Sequence, residues 1–206
     1  MCKKRKNKGI LIIFEGGDCT GKTTYANGLF EVLKTKYGVC YSKGIGSKTL
    51  LGKLARKHPS TLLFCLELAF ITLFKIKPNL KRGKIILQDR YNPTIASHLP
   101  SIDKKINQLL IKAFNPIFKK PDLIIYFTVS PKQQIARLKE TMESNKYHKV
   151  LVENPELIRL RERKYRELLF PHQNRLIHID TSNTDIEKEV SYLAELINNF
   201  IEKKHV

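Results

Sequence analysis

The sequence predicts a three-layer α/β fold in which helices flank a five-stranded parallel sheet. Two observations lead to this prediction. Short, continuous apolar runs recur along the chain, and such runs are typical of strands that are buried on both faces. Segments with apolar residues at helical spacing alternate with these runs, and this order favours parallel strands joined by helices. The 206 residues contain no internal repeat or Gly/Ser linker, so we expect a single domain over residues 1–206.

The first predicted strand covers residues 10–14, which read Ile-Leu-Ile-Ile-Phe. A helix is predicted over 22–36, because apolar side chains recur there at helical spacing. A weaker strand prediction follows at 39–41, directly after Gly38. We therefore expect the chain to begin with a β–α–β unit.

Two further helices are predicted at 48–57 and 61–77. Pro78 is expected to end the second one, because proline lacks the N–H that continues a helix. Residues 84–88 are predicted as the third strand, since they form another short apolar run.

The second half of the chain repeats the alternation. Apolar spacing predicts a helix over 102–115, and 122–127 is the clearest buried strand. The remaining predicted elements are helices at 131–143 and 154–169, a strand at 175–179 and a helix at 186–201.

The net charge is the unusual property of the composition. Lys and Arg number 38 against 19 Asp and Glu, which gives a formal net charge of +19. Hydrophobic residues at 42% exclude a disordered or fibrous chain. The charge predicts anionic partners: nucleic acid, an acidic membrane surface or phosphorylated small molecules. Lysines outnumber arginines, which indicates a general surface bias, and residues 1–8 are predicted to form a basic tail.

No segment has the pattern of a secretory signal or a membrane span. The apolar run after the basic start is confined to 10–14 and ends at Glu15. The longest apolar stretch, 61–74, is shorter than the roughly 20 residues that cross a bilayer. The cysteines form no C-x-x-C pair and the histidines show no ligand spacing. We therefore expect free thiols, a cytoplasmic location and no histidine-based metal site.

A glycine-rich motif follows the first predicted strand. Residues 16–23 read Gly-Gly-Asp-Cys-Thr-Gly-Lys-Thr and satisfy G-x-x-x-x-G-K-[ST], a phosphate-binding loop. The backbone N–H groups of such a loop point at phosphates, and the next helix presents its positive end. Lys22 is expected to reach the β- and γ-phosphates of ATP, and Thr23 to hold Mg²⁺. The predicted ATP contacts in the loop are Gly16, Gly17, Asp18, Cys19, Thr20, Gly21, Lys22, Thr23 and Thr24.

Asp89 and Arg90 come directly after the third predicted strand. An acidic residue at the carboxyl end of a neighbouring parallel strand can take Mg²⁺, directly or through water. The planar guanidinium of Arg90 suits a pair of phosphate oxygens. We therefore predict a metal site at Thr23 and Asp89, and catalytic roles for Lys22, Asp89 and Arg90.

These motifs resemble those of the thymidylate kinase family. Residues 14–24, which begin Phe-Glu-Gly-Gly-Asp, resemble its phosphate loop, and residues 80–91 resemble the strand that leads into its Asp-Arg-Tyr motif. The similarity continues in order through 121–127, 131–138, 161–168 and 177–180. It implies a P-loop nucleoside monophosphate kinase fold with a short helical lid at about 137–153. It also implies a homodimer that transfers the ATP γ-phosphoryl group to a nucleotide such as dTMP.

The resemblance implies roles for further residues. Asp18 would lie near the sugar and phosphate of the acceptor, and Arg90 would bind the acceptor phosphate. The loop carries Cys19 and Thr20 and supplies no arginine, so cations would come from the lid. The implied lid residues are Arg137 as a catalytic residue and Lys146 and Lys149 as ATP contacts, and the implied acceptor contacts are Asp18, Phe64, Leu68, Arg90, Tyr91, Thr94 and His98.

The departures from the family pattern fall on substrate recognition. Residues 42–47 read Ser-Lys-Gly-Ile-Gly-Ser, where the family commonly carries Arg-Glu-Pro. Phe64 fits the base-stacking position, but Leu68 stands where an arginine reads thymine, and leucine makes no hydrogen bond to a base. Thr94 can replace a serine hydroxyl, whereas His98 changes the edge of the pocket. The machinery for phosphoryl transfer is present, and the identity of the acceptor stays open.

Residues 39–50 contain no acidic residue, whereas a kinase that acts on a hydroxyl group needs a general base. This favours a phosphate acceptor, which is already ionised. Two alternatives stay open at this stage. One is a kinase of the same fold that acts on a nucleoside or another phosphorylated metabolite. The other is an ATP-binding protein associated with nucleic acid, which is disfavoured because the sequence contains no recognisable nucleic-acid module.

Overall fold

The sheet contains the five predicted strands. A computed structural model describes residues 8–98 and 104–205, and in this part of the chain the strands pair in parallel. The strands are β1 (Ile10–Gly16), β2 (Val39–Lys43), β3 (Ile85–Asp89), β4 (Leu123–Thr128) and β5 (Leu176–Asp180). Their order in the sheet is β2-β3-β1-β4-β5. The predicted three-layer α/β fold with a five-stranded parallel sheet is therefore confirmed.

Helices cover both faces of the sheet. Several of them begin at a side-chain cap; for example, Thr49 accepts the N–H of Gly52, and Ser60 accepts the N–H of Leu63. The helices are α1 (Lys22–Leu33), α2 (Leu50–Lys57), α3 (Thr61–Ile71), α4 (Lys77–Lys81), α5 (Asn92–Ala96), α6 (Lys105–Phe114), α7 (Pro131–Thr141), α8 (Lys146–Glu153), α9 (Pro155–Leu169) and α10 (Ile186–His205).

Strand β1 lies between two hydrophobic layers, one on each face of the sheet. Ile10–Phe14 are all 0% exposed, which explains why the run is apolar without alternation. Ile12 and its even-numbered neighbours pack with side chains of α1 and α10. Ile13 and Leu11 pack on the other face with side chains of α3, α6 and α9. Burial on both faces makes this strand the rigid support of the loop that follows it.

The predicted end of the helix at Pro78 is wrong. Helix α3 continues through a π-helical turn, Thr72–Ile76, directly into α4. The N–H of Lys77 donates to the carbonyl of Thr72, five residues earlier. A proline ring crowds the carbonyl four residues before it, and the wider turn relieves that contact. Pro78 therefore lies in the first turn of α4, where a missing N–H is tolerated.

Other boundaries differ by a few residues from the predictions. Helix α1 ends at Leu33 rather than residue 36, because Lys34–Gly38 form a turn before β2. Helix α5 was not predicted, and the predicted lid at about 137–153 contains the end of α7 and all of α8. The start of the predicted helix at residues 102–103 and most of the predicted basic tail, residues 1–7, lie outside the described residues.

Candidate active site

The phosphate loop joins the carboxyl end of β1 to α1. Gly16 has a φ of 140°, and a Cβ there would lie 2.3 Å from the carbonyl oxygen of Phe127. Gly21 has a φ of 84°, and Cys19, with a φ of 59°, also adopts the left-handed region that β-carbon sterics disfavour. The loop is therefore closely packed on β4 and folds back sharply before α1.

Lys22 lies inside this loop rather than on the surface. Its side chain is buried, and its Nζ donates to the carbonyl of Gly17 and to Thr20 Oγ1 at 3.2 Å. Burial and, to a smaller extent, the nearby positive charge of Arg90 lower the pKa of Lys22 to about 7. An anion bound in the loop would stabilise the charged ammonium, so the residue is placed to respond to phosphate.

Thr23 and Asp89 meet because β1 and β3 are parallel neighbours with Phe14 paired to Asp89. The hydroxyl of Thr23 donates to Asp89 Oδ2 at 2.7 Å, and the hydroxyl of Tyr41 donates to the same oxygen at 3.1 Å. Asp89 is fully buried, and its Oδ1 has no hydrogen-bond partner among the described residues. A hydroxyl beside an uncommitted carboxylate oxygen is a donor set that suits Mg²⁺.

Asp18 joins the phosphate loop to two arginines. Arg90 donates to its Oδ1 at 2.6 Å, and Arg161, which is 3% exposed, donates to its Oδ2 at 2.5 Å. Although burial raises the pKa of Asp18, the two guanidinium groups hold it well below its usual range. Gln134 fixes the backbone of this residue by donating to its carbonyl at 2.7 Å. Two cations thus lie at one wall of the loop, where their partner is the carboxylate of Asp18.

Arg161 was not predicted as a site residue, although a signal for it exists. Ile158, Arg161, Tyr165 and Leu169 are the buried residues of α9, and they follow helical spacing. An arginine on the apolar face of a helix requires a buried partner. The pattern indicated a buried cation, but only the folded chain shows that its partner is Asp18.

Tyr91 and Thr94, two predicted acceptor contacts, are bound to a buried acid. Glu15 accepts the N–H of Tyr91 at 2.8 Å and the hydroxyl of Thr94 at 2.6 Å. Burial raises the pKa of Glu15 to about 7. Tyr91 and Thr94 are 1% and 3% exposed, so in this structure they support the turn between β3 and α5.

Phe64 and His98, also predicted acceptor contacts, are brought together. Their ring centroids lie 5.1 Å apart in an edge-to-face arrangement. Leu68, one turn after Phe64 on α3, is 0% exposed and packs in the core. The position at which the family carries an arginine is therefore held here by a core side chain.

The predicted lid cations occupy two different places. Arg137 donates to the carbonyls of Cys19, at 3.2 Å, and Thr181, at 3.0 Å. It lines a cleft on the far side of the phosphate loop together with Thr24. Lys146 and Lys149 are exposed on α8, where Lys149 lies 3.9 Å from Glu153.

A P-loop kinase whose acceptor is itself a phosphate needs positive charge beside its phosphate loop, and Arg90 and Arg161 lie there. The fold and these residues define the chain as a P-loop kinase of this class. Comparison with known proteins supports this assignment. The family model described as thymidylate kinase matches residues 14–191. The chain therefore belongs to the thymidylate kinase family, whose members are ATP-dependent nucleoside monophosphate kinases.

Relatives match along almost their full length. A probable thymidylate kinase of Methanococcus aeolicus is 31% identical over 94% of this chain and 96% of its own. A thymidylate kinase of Bacillus licheniformis is 26% identical over 95% and 96%. The crystal structure of thymidylate kinase from Ehrlichia chaffeensis shares the fold, with a TM-score of 0.69 at 19% identity, over 92% of this chain and 98% of its own. No helix among the described residues has the length and apolarity to cross a membrane.

Proposed function

We propose that the protein transfers the γ-phosphoryl group of ATP to dTMP and forms dTDP. The observation that carries this proposal is the arginine pair at Asp18, beside the phosphate loop. Arg90 and Arg161 can leave the carboxylate and receive the phosphate of an acceptor nucleotide. Lys22, whose Nζ donates to the carbonyl of Gly17 inside the same loop, would contact the donor phosphates.

The chemistry of the acidic residues favours a phosphate acceptor over a hydroxyl acceptor. A hydroxyl acceptor needs a general base. Both oxygens of Asp18 are held by guanidinium groups and its pKa is low, so it is a poor base. Both oxygens of Glu15 accept hydrogen bonds from Tyr91 and Thr94. A phosphate acceptor avoids this need, and positive charge from Lys22, Arg90 and Arg161 would stabilise the transferring group.

ATP with Mg²⁺ is the donor in this proposal. Thr23 and Asp89 would hold the ion, and the uncommitted Oδ1 of Asp89 supports this assignment. A bound Mg²⁺ neutralises phosphate charge during the transfer. The cleft lined by Thr24 and Arg137 is the proposed place of the ATP nucleoside. Lys146 and Lys149 would contact ATP only after α8 rotates or closes, since both side chains point to solvent here.

Two experiments test the proposal. The first measures ATP consumption with each nucleoside monophosphate and nucleoside in turn, and we expect dTMP to be the preferred acceptor. Turnover of a nucleoside with no turnover of dTMP would contradict the assignment of the acceptor.

The second experiment replaces the loop lysine. Lys22→Ala should lower kcat by at least about a hundredfold, because a preorganised cation at the transferring phosphoryl group is lost. The matched control is Lys34→Ala, which removes an exposed lysine just beyond the same helix. Full activity of Lys22→Ala would exclude the phosphate loop as the ATP site.

We further propose that residues 1–206 form a single domain with its lid at about 137–153, and that the protein is cytoplasmic. We also propose a homodimer that forms through α3. The dimer is supported by a stripe of exposed apolar side chains along α3 and the π-helical turn that follows it. Leu62, Leu66, Phe70 and Leu73 are 45%, 39%, 45% and 44% exposed and recur every three or four residues.

A further inference from the structure

A column of side chains leads from the phosphate loop to α3. Arg161, paired with Asp18, lies over the ring of Tyr147 with 5.6 Å between its guanidinium carbon and the ring centroid. Tyr147 stacks on His98 with centroids 5.6 Å apart and an interplanar angle of 18°. His98 meets the ring of Phe64 at 5.1 Å. The column thus joins the proposed acceptor phosphate site to the proposed base-stacking ring.

Three consecutive members of this column carry buried polar atoms without a hydrogen-bond partner among the described residues. These atoms are His98 Nδ1, the hydroxyl of Tyr147 and Arg161 Nε. Buried polar atoms in folded proteins are nearly always hydrogen-bonded, because an unpaired one retains its desolvation cost. Three such atoms on stacked neighbours indicate a place built for a polar ligand.

The chemistry of the column suits a neutral, planar ligand with alternating donors and acceptors. Burial lowers the pKa of His98 to about 4, with a further contribution from the positive charge of Arg161, so the ring is neutral at physiological pH. A neutral imidazole offers one donor and one acceptor, and a phenol can do both. Phe64, whose ring meets that of His98 at 5.1 Å, supplies an apolar wall beside them. A pyrimidine edge, which alternates carbonyl oxygen and ring N–H, matches this set.

The lid helix contributes one of these two groups. Tyr147 and the buried Leu151 are four residues apart and form the inner face of α8. The lysines on either side of Tyr147 are exposed. The lid therefore extends toward the acceptor side of the site through an aromatic ring.

We propose that His98 and Tyr147 read the acceptor nucleobase by hydrogen bonds, in place of the arginine that Leu68 replaces. This inference rests on the proposed function and deepens it by naming the residues that select the base. Because Tyr147 belongs to α8, a bound base would contact the lid helix through this ring.

The test removes the polar atoms and keeps the rings. Tyr147→Phe and His98→Phe retain an aromatic ring at each place in the column. Each should raise the KM and the Kd for dTMP about three- to tenfold, which is the value of one hydrogen bond. The kcat and the KM for ATP should stay within about twofold. Tyr192→Phe is the matched control. Tyr192 is 57% exposed on α10, so this substitution removes a tyrosine hydroxyl outside the site.

A truncated ligand separates the base from the phosphate. Deoxyribose 5-phosphate has the sugar and phosphate of dTMP and no base, and we expect its Kd to be the same for wild type and both variants. A Kd that rises equally for both ligands, or a KM for dTMP that does not change, would overturn the base-reading role. The wild type alone tests the proposed function. If it neither binds nor turns over any pyrimidine monophosphate, both the proposed function and this inference fail. Melting temperatures close to that of the wild type establish that the variants are folded.

Discussion

At the scale of single residues, the site depends on buried charges that compensate one another. Asp18, Arg90 and Arg161 form one group in which each carboxylate oxygen has its own guanidinium partner. A buried charge without a partner is costly, so these three residues are expected to depend on one another. Glu15 differs, since its partners are a backbone N–H and a hydroxyl rather than a cation.

The environment of Glu15 predicts that the free energy of unfolding depends on pH. The pKa of Glu15 is raised by burial from 4.5 to about 7 in the folded protein. Between these values the folded state binds more protons than the unfolded state. The contribution of Glu15 is therefore fully present below pH 4.5 and is lost as the pH rises through 7. Glu15→Gln should remove this dependence, because an amide does not titrate, while the amide oxygen can still accept the N–H of Tyr91.

The measurement is the urea midpoint of the wild type and of Glu15→Gln across that pH range. The difference between the two proteins is compared, because other groups titrate in the same range and their contributions cancel. Two parallel curves would show that Glu15 ionises with an ordinary pKa.

At the scale of elements, α3 holds the loop between β2 and α2. Glu67 on α3 is fully buried and accepts the N–H of Gly46 at 3.0 Å and the N–H and hydroxyl of Ser47 at 2.8 and 2.6 Å. Gly52 of α2 packs so closely that a Cβ there would lie 2.4 Å from Glu67 Oε1. One carboxylate thus joins three segments at the acceptor side of the site.

Glu67→Ala should destabilise the protein by about 1–3 kcal/mol for each backbone N–H that loses its partner. It should also raise the KM for the acceptor, because Gly44 in the same loop donates to the carbonyl of Asp89 at 2.7 Å. Urea unfolding and separate KM values for dTMP and ATP measure the two effects. Glu67→Gln keeps one carbonyl oxygen and should lose less stability; an equal loss in both variants would contradict the hydrogen-bond explanation.

At the scale of the whole molecule, the exposed stripe on α3 predicts how two copies associate. A face of this kind is usually covered by a partner in solution. Phe70→Asp should convert the proposed dimer to a monomer, because a carboxylate would be buried at the centre of the proposed interface. Sedimentation velocity measures the mass directly. Val32→Asp is the control, since Val32 is 43% exposed on α1 and lies outside the stripe. A Phe70→Asp variant that remains dimeric would place the interface elsewhere.

The charge of the whole molecule is only partly explained by the site. The net charge is +19, yet the cations with an argued role are Lys22, Arg90, Arg161 and the lid residues. Several other lysines and arginines lie in exposed pairs with acids one helical turn away, such as Lys34 with Glu31 and Arg166 with Glu162. Such pairs contribute little to stability and indicate a solvated surface rather than a further binding site.

The sheet and the phosphate loop could be predicted from the sequence alone. Both follow from local rules: a continuous apolar run becomes a buried strand, and a glycine-rich turn before a helix exposes N–H groups to phosphate. The class of reaction came from the resemblance of these motifs to the thymidylate kinase family. Thr23 and Asp89 could also be paired from sequence, because the carboxyl ends of neighbouring parallel strands share an edge.

The side chains that meet around the phosphate loop depend on the tertiary structure. Arg161 reaches Asp18 across 143 positions of sequence, and Tyr147 reaches His98 from α8. Leu68 was predicted from resemblance to touch the acceptor, yet the packing of α3 against the sheet buries it completely. The physical reason is that such contacts depend on how whole helices dock against the sheet, whereas residue spacing reports only which face of a helix is apolar.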